Sequence, residues 1–498
     1  PGSFEFQRLH GMGEALHDTV LKAEATRCRI YAPVGAHRDL LAYLVRRLLE
    51  NGANSSFVHQ IVDEEVPPET IARDPFTQCD AAPNPAISHP SAIHGGGRAA
   101  ARGWDLTDPL TLDSLETARN RFRKGYQWRA GTGPVARDIR NPADPSDIVG
   151  QVCEAGAGDV ASAITAAERA QPGWAATPVT DRAAILRRAA DLYETHAPEF
   201  FVLCTREAGK TLADGVAEIR EAVDFLRYYA HQATAAEAGT TARGTIACIS
   251  PWNFPLAIFT GQVAAALVTG NAVIAKPAEQ TPLIAARATA LLHEAGVPEE
   301  ILHLLPGDGP SVGAPLTADP RLAGVCFTGS TEVAQIINRQ LADTAPGAML
   351  IAETGGLNAM IVDSTALPEQ AVRDILASAF QSAGQRCSAL RLLYVQREVE
   401  DRVLDMLFGA MEALRTGDPW QLSTDVGPVI DDEARRGIES YCKEMEGRGR
   451  LLKRLDSAGD GLHVAPHVFR VQGIEEMQRE VFGPVLHVAR FDAEKMDE

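Results

Sequence analysis

Short apolar strands alternate with helical segments from Gly244 onward, and this alternation narrows the possible folds more than any other pattern in the 498 residues. The predicted strands cover residues 245–249, 272–275, 301–305, 324–327 and 349–352. Strands that are separated by helices favour a doubly wound parallel sheet, which binds ligands at the carboxyl ends of its strands. The sequence therefore predicts an α/β fold with its functional residues just after these strands.

The first of these strands is followed by an asparagine whose backbone is restricted by two nearby prolines. Asn253 lies between Pro251 and Pro255, next to Trp252. Because prolines limit the backbone, the Asn253 amide could be aimed in advance at a developing oxyanion. A plain loop asparagine is the alternative interpretation.

Later strand ends carry residues that suit a dinucleotide. Lys276 and Glu279 follow the second strand and could bind the hydroxyls of an adenine ribose, while the acid would repel a 2′-phosphate. Ser330 opens a predicted helix at residues 332–341, where free N–H groups would suit a pyrophosphate. An ordinary serine N-cap would explain Ser330 equally well.

A single cysteine offers a nucleophile. Cys387 lies in the polar stretch 381–389, between a predicted helix at 368–380 and a predicted strand at 390–395. A thiol at the edge of an element can attack a carbonyl and form a covalent intermediate. A buried, inert cysteine is the alternative.

Two carboxylates near other strands complete the candidate site. Glu353 ends a strand beside two glycines, and Glu480 precedes Phe482 and a final strand at 485–491. Glu353 follows the pattern of polar residues at the carboxyl ends of strands, whereas Glu480 supplies an acid and an aromatic neighbour before a strand.

Composition excludes several classes of function. The formal net charge of −19 argues against a nucleic-acid surface, which needs clustered lysine and arginine. The eight cysteines lack metal-ligand spacing, so we expect reduced thiols, no metal site and a cytoplasmic location. No apolar run reaches the length of a membrane span, and we find no signal peptide. Both ends look cut, so we expect a piece of a longer polypeptide.

The first 75 residues predict two consecutive βα units, with a helix at residues 39–51. On that helix Tyr43, Arg46 and Glu50 share a face. A guanidinium that is braced by a carboxylate and an aromatic ring suits a small carboxylate ligand. A solvated charged face is the alternative.

This first block resembles the last two βα units of the proline dehydrogenase (β/α)8 barrel, as found in the bifunctional proline utilization A family. The resemblance is carried by residues 5–13, 31–35 and 43–55. It implies that Arg46 and Arg47 ion-pair with the carboxylate of proline and that Tyr31 and Tyr43 line the same pocket. It also implies FAD in the barrel half, most of which would precede Pro1, since two units cannot close a barrel.

From about residue 120 to the end, the motifs occur in the order typical of the aldehyde dehydrogenase superfamily. Residues 384–391 resemble its glutamate-γ-semialdehyde (pyrroline-5-carboxylate) dehydrogenase branch. Together with the proline dehydrogenase tail, the match is to the bifunctional proline utilization A family. The resemblance implies NAD-dependent oxidation of L-glutamate γ-semialdehyde to L-glutamate. It also implies a homo-oligomer, with membrane or quinone contact through the barrel half.

The resemblance assigns a role to each candidate residue. Cys387 would attack the aldehyde, Asn253 and the Cys387 N–H would stabilise the oxyanion, and Glu353 would activate the hydrolytic water. Ser330 would bind the pyrophosphate and Glu480 the nicotinamide ribose. The implied cofactor-binding side chains are Trp252, Lys276, Glu279, Ser330, Glu480 and Phe482.

Other functions stay open. Cys387 with Glu353 could serve an NAD-independent acyl transferase or esterase, although no histidine is suitably placed. A different aldehyde, or a non-catalytic structural role, would also fit the fold.

We expect four segments along the chain. They are the barrel end (1–75), a linker (76–115), an NAD-binding domain with N-terminal helices (116–348) and a truncated catalytic domain (349–498). The residues that grip the substrate carboxylate are expected beyond Glu498.

Overall fold

A computed structural model describes residues 4–495, apart from residues 53–59, 61–62, 79–83, 85, 236–239 and 457–460. The chain divides into two units, residues 1–87 and residues 88–498. A two-stranded sheet lies in the first unit, and three larger sheets lie in the second.

The first unit contains two consecutive βα repeats, as predicted. Parallel strands β1 (Phe6–Leu9) and β2 (Cys28–Tyr31) pair from Phe6↔Cys28 to Leu9↔Tyr31. The helices of this unit are α1 (Glu14–Glu24), α2 (His37–Gly52) and the short α3 (Pro68–Ile71). Helix α1 buries none of its side chains within the described structure.

The second unit begins with helices and a small sheet. Helix α4 (Pro109–Arg119) precedes a sheet in the order β3-β5-β4. Its strands are β3 (Trp128–Ala130), β4 (Arg137–Asn141) and β5 (Asp144–Val152). The long helices that follow are α5 (Ala157–Ala176), α6 (Val179–Thr195), α7 (Ala197–Ala208) and α8 (Leu212–Ala235).

A five-stranded parallel sheet forms the core of the next region, in the order β10-β9-β6-β7-β8. The strands are β6 (Thr245–Ile249), β7 (Ala272–Lys276), β8 (Leu302–Leu304), β9 (Leu322–Thr328) and β10 (Met349–Glu353). The helices between them are α9 (Ala257–Val268), α10 (Pro282–Glu294), α11 (Ala314–Thr317) and α12 (Thr331–Thr344). Strands β6 and β7 are buried throughout, as expected when helices cover both faces.

A second five-stranded sheet has the order β11-β12-β15-β14-β13 and is parallel except for the β13–β14 pair. Its strands are β11 (Asn358–Val362), β12 (Leu390–Gln396), β13 (Leu451–Arg454), β14 (His467–Arg470) and β15 (Val485–Phe491). Its helices are α13 (Pro368–Phe380), α14 (Glu400–Glu412) and α15 (Asp432–Gly447). Each five-stranded sheet has its own cluster of buried apolar side chains.

The predicted strands after Gly244 and the predicted doubly wound fold are confirmed. Strand β10 pairs with β9, so the first large sheet extends past the predicted boundary at residue 348. Helix α4 also begins inside the segment that was expected to be a linker. The four-segment division as a whole stays a prediction.

Among the described residues, no helix is long and apolar enough to cross a membrane. The same residues contain no group of three or more His, Cys, Asp or Glu side chains that could hold a metal ion.

Candidate active site

The loop that carries Cys387 has an unusual backbone. Cys387 is exposed and lies in the nucleophile loop (residues 381–387), between α13 and β12. Ser382 and Ala383 have left-handed φ values of 54° and 53°, and Gly384 follows at 67°. A left-handed conformation costs a residue other than glycine roughly 1–2 kcal/mol, so it persists where surrounding contacts impose it. Because Cys387 is exposed, the alternative of a buried cysteine is wrong, and its role as the nucleophile stays a prediction.

Close backbone contact fixes this loop against the Glu480 segment (residues 480–484). A Cβ atom on Gly384 would lie 2.2 Å from the Gly483 carbonyl oxygen. Gln385 is buried, and its amide donates to the Ser382 and Pro428 carbonyl oxygens at 3.1 and 3.2 Å. The thiol thus emerges from a loop whose base is tightly packed.

Asn253 lies beside the nucleophile loop, as an oxyanion donor must. Its side chain is buried, and Nδ2 donates to the Gln385 carbonyl oxygen at 3.2 Å. Since an amide nitrogen carries two hydrogens, one N–H is still available to a reacting carbonyl. Glu218 supports the same region by accepting from the Leu256 and Ala257 N–H groups at 3.2 and 2.9 Å.

The segment between β10 and β11 starts directly after Glu353, which is exposed at the end of β10. A Cβ atom on Gly355 would lie 2.0 Å from Glu480 Oε2, so the chain passes directly against that carboxylate. Asn358 Nδ2 then donates to the Cys387 and Ala389 carbonyl oxygens at 2.6 and 3.0 Å. One short segment therefore contacts both the nucleophile loop and the Glu480 segment.

Two aromatic rings lie next to Glu480. The Trp252 and Phe482 rings meet edge to face with centroids 5.5 Å apart. The buried Arg391 guanidinium lies 5.3 Å from the Phe482 ring centroid and pairs with Glu480 at 2.8 Å. The predicted cofactor residues Trp252, Glu480 and Phe482 are thus brought together.

The predicted ribose-binding pair lies at the end of β7. Lys276 is buried, and its Nζ lies 3.8 Å from Glu279 Oε2. Burial lowers the pKa of Lys276, and the Glu279 carboxylate opposes this effect. Arg137 from β4 joins the group by donating to the Glu279 carbonyl oxygen.

Ser330 is an N-cap, which was the plainer of its two interpretations. Its hydroxyl accepts from the Val333 N–H at 3.2 Å at the start of α12. The cap leaves the positive end of the helix dipole at the carboxyl edge of the sheet, which also favours an anion there.

The proline-site candidates form their own group in the first unit. Arg47 lies 5.3 Å from the Tyr43 ring centroid. A hydrogen bond between the two phenols raises the pKa of Tyr31 and lowers that of Tyr43, which Arg47 and the charge of Arg46 lower further. The side chain of Glu50, which was expected to brace Arg46, lies outside the described residues.

Sequence reasoning missed several residues that hold the site together. Asp214 on α8 accepts from the Gln381 side chain at 3.0 Å and pairs with Arg386 at 2.9 Å. Asn358 and Arg391 were also not predicted. Asn358 lies two residues after the glycines that follow Glu353, and Arg391 is the last residue of the motif at 384–391. Their contacts are with residues that are distant in the sequence, which no local pattern reveals.

Comparison with known proteins agrees with this architecture. A model of the aldehyde dehydrogenase family matches residues 128–497, and a model of proline dehydrogenase matches residues 1–60. The bifunctional protein PutA of Klebsiella aerogenes is 49% identical over an alignment 532 residues long, which covers 100% of this chain and 40% of that protein. The chain thus spans less than half the length of that relative.

Two solved structures are similar as well. A single-residue variant of proline utilization A from Bradyrhizobium japonicum has a TM-score of 0.79 and 47% identity, with 100% of this chain and 50% of that chain covered. The 1-pyrroline-5-carboxylate dehydrogenase from Thermus with bound NAD has a TM-score of 0.73 and 32% identity, with 78% and 82% covered. The fold, the order of the site residues and the family match agree, and the chain belongs to the aldehyde dehydrogenase family.

Proposed function

We propose that the second unit oxidises L-glutamate γ-semialdehyde to L-glutamate with NAD, through a thiohemiacetal on Cys387. The observation that carries this proposal is the exposed Cys387 thiol on a loop that two asparagines hold. The Asn253 side chain donates to the Gln385 carbonyl oxygen, and the Asn358 side chain donates to the Cys387 carbonyl oxygen. The names of the similar proteins support the substrate, since they include a pyrroline-5-carboxylate dehydrogenase.

The residues present account for each chemical step. The Cys387 thiolate bonds to the aldehyde carbon through Sγ, and the remaining N–H of the Asn253 amide stabilises the oxyanion that forms. Re-formation of the C=O bond would transfer the hydride from that carbon to bound NAD and leave a thioester. Glu353 takes a proton from water, which attacks the thioester carbon. The C–S bond breaks, the thiolate returns and the carboxylate product leaves.

The second unit also offers groups that fit NAD. When bound, NAD would accept the hydride. Lys276 and Glu279 would hold the adenine ribose, Ser330 and the N-terminus of α12 the pyrophosphate, and Glu480 the nicotinamide ribose. The close approach of Gly355 to Glu480 supports this assignment, because any larger residue there would displace the carboxylate.

We further propose that the first unit belongs to an FAD-dependent proline dehydrogenase barrel. The proline dehydrogenase match over residues 1–60 and the group of Tyr31, Tyr43 and Arg47 support this proposal. Arg46 and Arg47 would then bind the carboxylate of proline. The whole protein would be a cytoplasmic homo-oligomer that contacts the inner membrane peripherally through its barrel half, and membrane flotation and sedimentation of the full-length protein would test both properties.

The proposed reaction is tested with the full-length protein and a panel of aldehydes. Glutamate γ-semialdehyde should give NADH and glutamate with a higher kcat/KM than acetaldehyde or hexanal. A preference for one of the other aldehydes would indicate a different substrate. Release of an acyl product without NADH would favour the acyl transferase or esterase interpretation.

A further inference from the structure

Arg391 is a buried cation that the proposed chemistry does not use. Its side chain is 0% exposed, and it lies four residues after the nucleophile, at the start of β12. Nε and Nη2 donate to the same oxygen of Glu480, Oε1, at 3.1 and 2.8 Å. Arginine keeps its charge in proteins, so this contact is an ion pair.

The other donors of Arg391 go to backbone carbonyls on two separate segments. Nη1 donates to the Gly384 and Gly483 oxygens at 2.8 and 3.1 Å. Nη2 donates to the Arg386 oxygen at 3.0 Å. A guanidinium has five N–H groups, and here all are used. Arg391 therefore joins the nucleophile loop to the Glu480 segment.

The backbone of Arg391 is held as firmly as its side chain. Its carbonyl accepts from His487 Nδ1 at 2.9 Å, and His487 is fully buried in β15. Burial lowers the pKa of His487, so the ring is neutral at pH 7. With Nδ1 as donor, Nε2 accepts from the Tyr441 hydroxyl at 2.7 Å. The guanidinium thus projects from a rigid part of the sheet.

Glu480 is confined on its other side. Its Oε2 lies so close to the backbone that a Cβ atom on Gly355 would be 2.0 Å away. The carboxylate therefore sits between the Arg391 guanidinium and the Gly355 backbone. Its position relative to the nucleophile loop depends on Arg391, because the same guanidinium binds both.

We propose that Arg391 is a positioning residue that fixes the Glu480 carboxylate relative to the Cys387 thiol. The inference rests on the proposed function, in which Glu480 holds the nicotinamide ribose and Cys387 carries the aldehyde carbon. Arg391 would then set the distance across which the hydride moves. A misplacement of about 1 Å can slow a reaction roughly 100-fold.

The test uses Arg391→Lys and Arg391→Met in the full-length protein. Lysine keeps the charge but cannot reach the two segments with a rigid planar fork. We expect both variants to lower kcat by about 10- to 100-fold, with little change in the KM for the semialdehyde. A primary isotope effect should appear or grow with substrate deuterated at the aldehyde carbon, because hydride transfer becomes limiting.

A double-mutant cycle separates positioning from general stability. If Arg391 acts through Glu480, Arg391→Met and Glu480→Gln together should slow turnover little more than either change alone. Arg182→Lys is the matched control. Arg182 is also buried and binds backbone carbonyls, including that of Val268 at 2.9 Å, but it does not contact the site. This control can lower the unfolding temperature but should leave the isotope effect unchanged.

The outcomes are distinct. Wild-type kcat and isotope effect in Arg391→Lys and Arg391→Met would overturn the proposal, as would full additivity in the cycle. If Arg391→Met does not fold, the lysine variant and its cycle with Glu480→Gln decide the question. Failure of the wild-type protein to form NADH from the semialdehyde would instead overturn the proposed function.

Discussion

At the residue scale, the site side chains are aimed by partners on other elements. Asn253 is held by the Gln385 carbonyl, and the carbonyl of Cys387 is held by Asn358. Asn253 was predicted from its position after a strand between two prolines, and Cys387 from its position in a polar stretch between a helix and a strand. The partners could not be predicted, because an amide that binds a distant carbonyl leaves no periodic or local pattern in the sequence.

Glu279 should determine the preference for NAD over NADP. Its carboxylate is about half exposed beside buried Lys276, where it would repel a 2′-phosphate. Exposed charge pairs contribute about 1 kcal/mol or less, so Glu279→Gln should narrow the ratio of the kcat/KM values for NAD and NADP by up to about fivefold.

The control for this change is Glu294→Gln, which removes the same charge at the exposed end of α10. Kinetics with each cofactor on the full-length protein provide the ratio. Equal wild-type use of NAD and NADP, or an unchanged ratio in Glu279→Gln, would show that Glu279 does not discriminate.

At the element scale, the nucleophile loop departs most from regular structure. Its helix α13 and strand β12 were predicted within one or two residues. The left-handed turn at residues 382–384 was not predicted, because serine and alanine rarely adopt it. Packing against the Glu480 segment overrides their local preference.

Gly384→Ala should disrupt this loop. The new Cβ atom would meet the Gly483 oxygen at 2.2 Å, at a positive φ that disfavours alanine. We expect a loss of roughly 2–4 kcal/mol in unfolding free energy and a large loss of NADH formation. Thermal unfolding and steady-state kinetics measure the two effects.

Gly409→Ala is a suitable comparison, because a Cβ atom there has no neighbour within 4 Å in helix α14. It should leave activity unchanged and stabilise the helix by about 0.5–1 kcal/mol. Equal unfolding free energies and equal rates of NADH formation in the two variants would mean that the backbone at Gly384 does not require glycine.

At the scale of the whole molecule, the chain divides into two units, each of which contains parallel strands. The alternation of strands and helices predicted both, because parallel α/β folds impose that order. The order of strands within each sheet could not be predicted, since it depends on which strands pair across the fold. The three-stranded sheet β3-β5-β4 was not predicted.

Arg46→Met should affect only proline oxidation. The loss of a bidentate contact with a carboxylate commonly costs a few kcal/mol, so the apparent KM for proline should rise at least tenfold. NADH formation from the semialdehyde should not change. Unaltered proline kinetics would mean that Arg46 belongs to a solvated charged face.

The most direct test of the central claim is the activity of Cys387→Ala in two separate assays on one full-length preparation. NADH formation from the semialdehyde should fall to background, while NAD binding and proline oxidation stay near normal, because only the thiol forms the covalent bond. Cys387→Ser should be almost as inactive, and Cys153→Ala, which changes a buried cysteine in the same unit, should keep full activity. Substantial NADH formation by Cys387→Ala would contradict the assignment of the nucleophile and of the site around it.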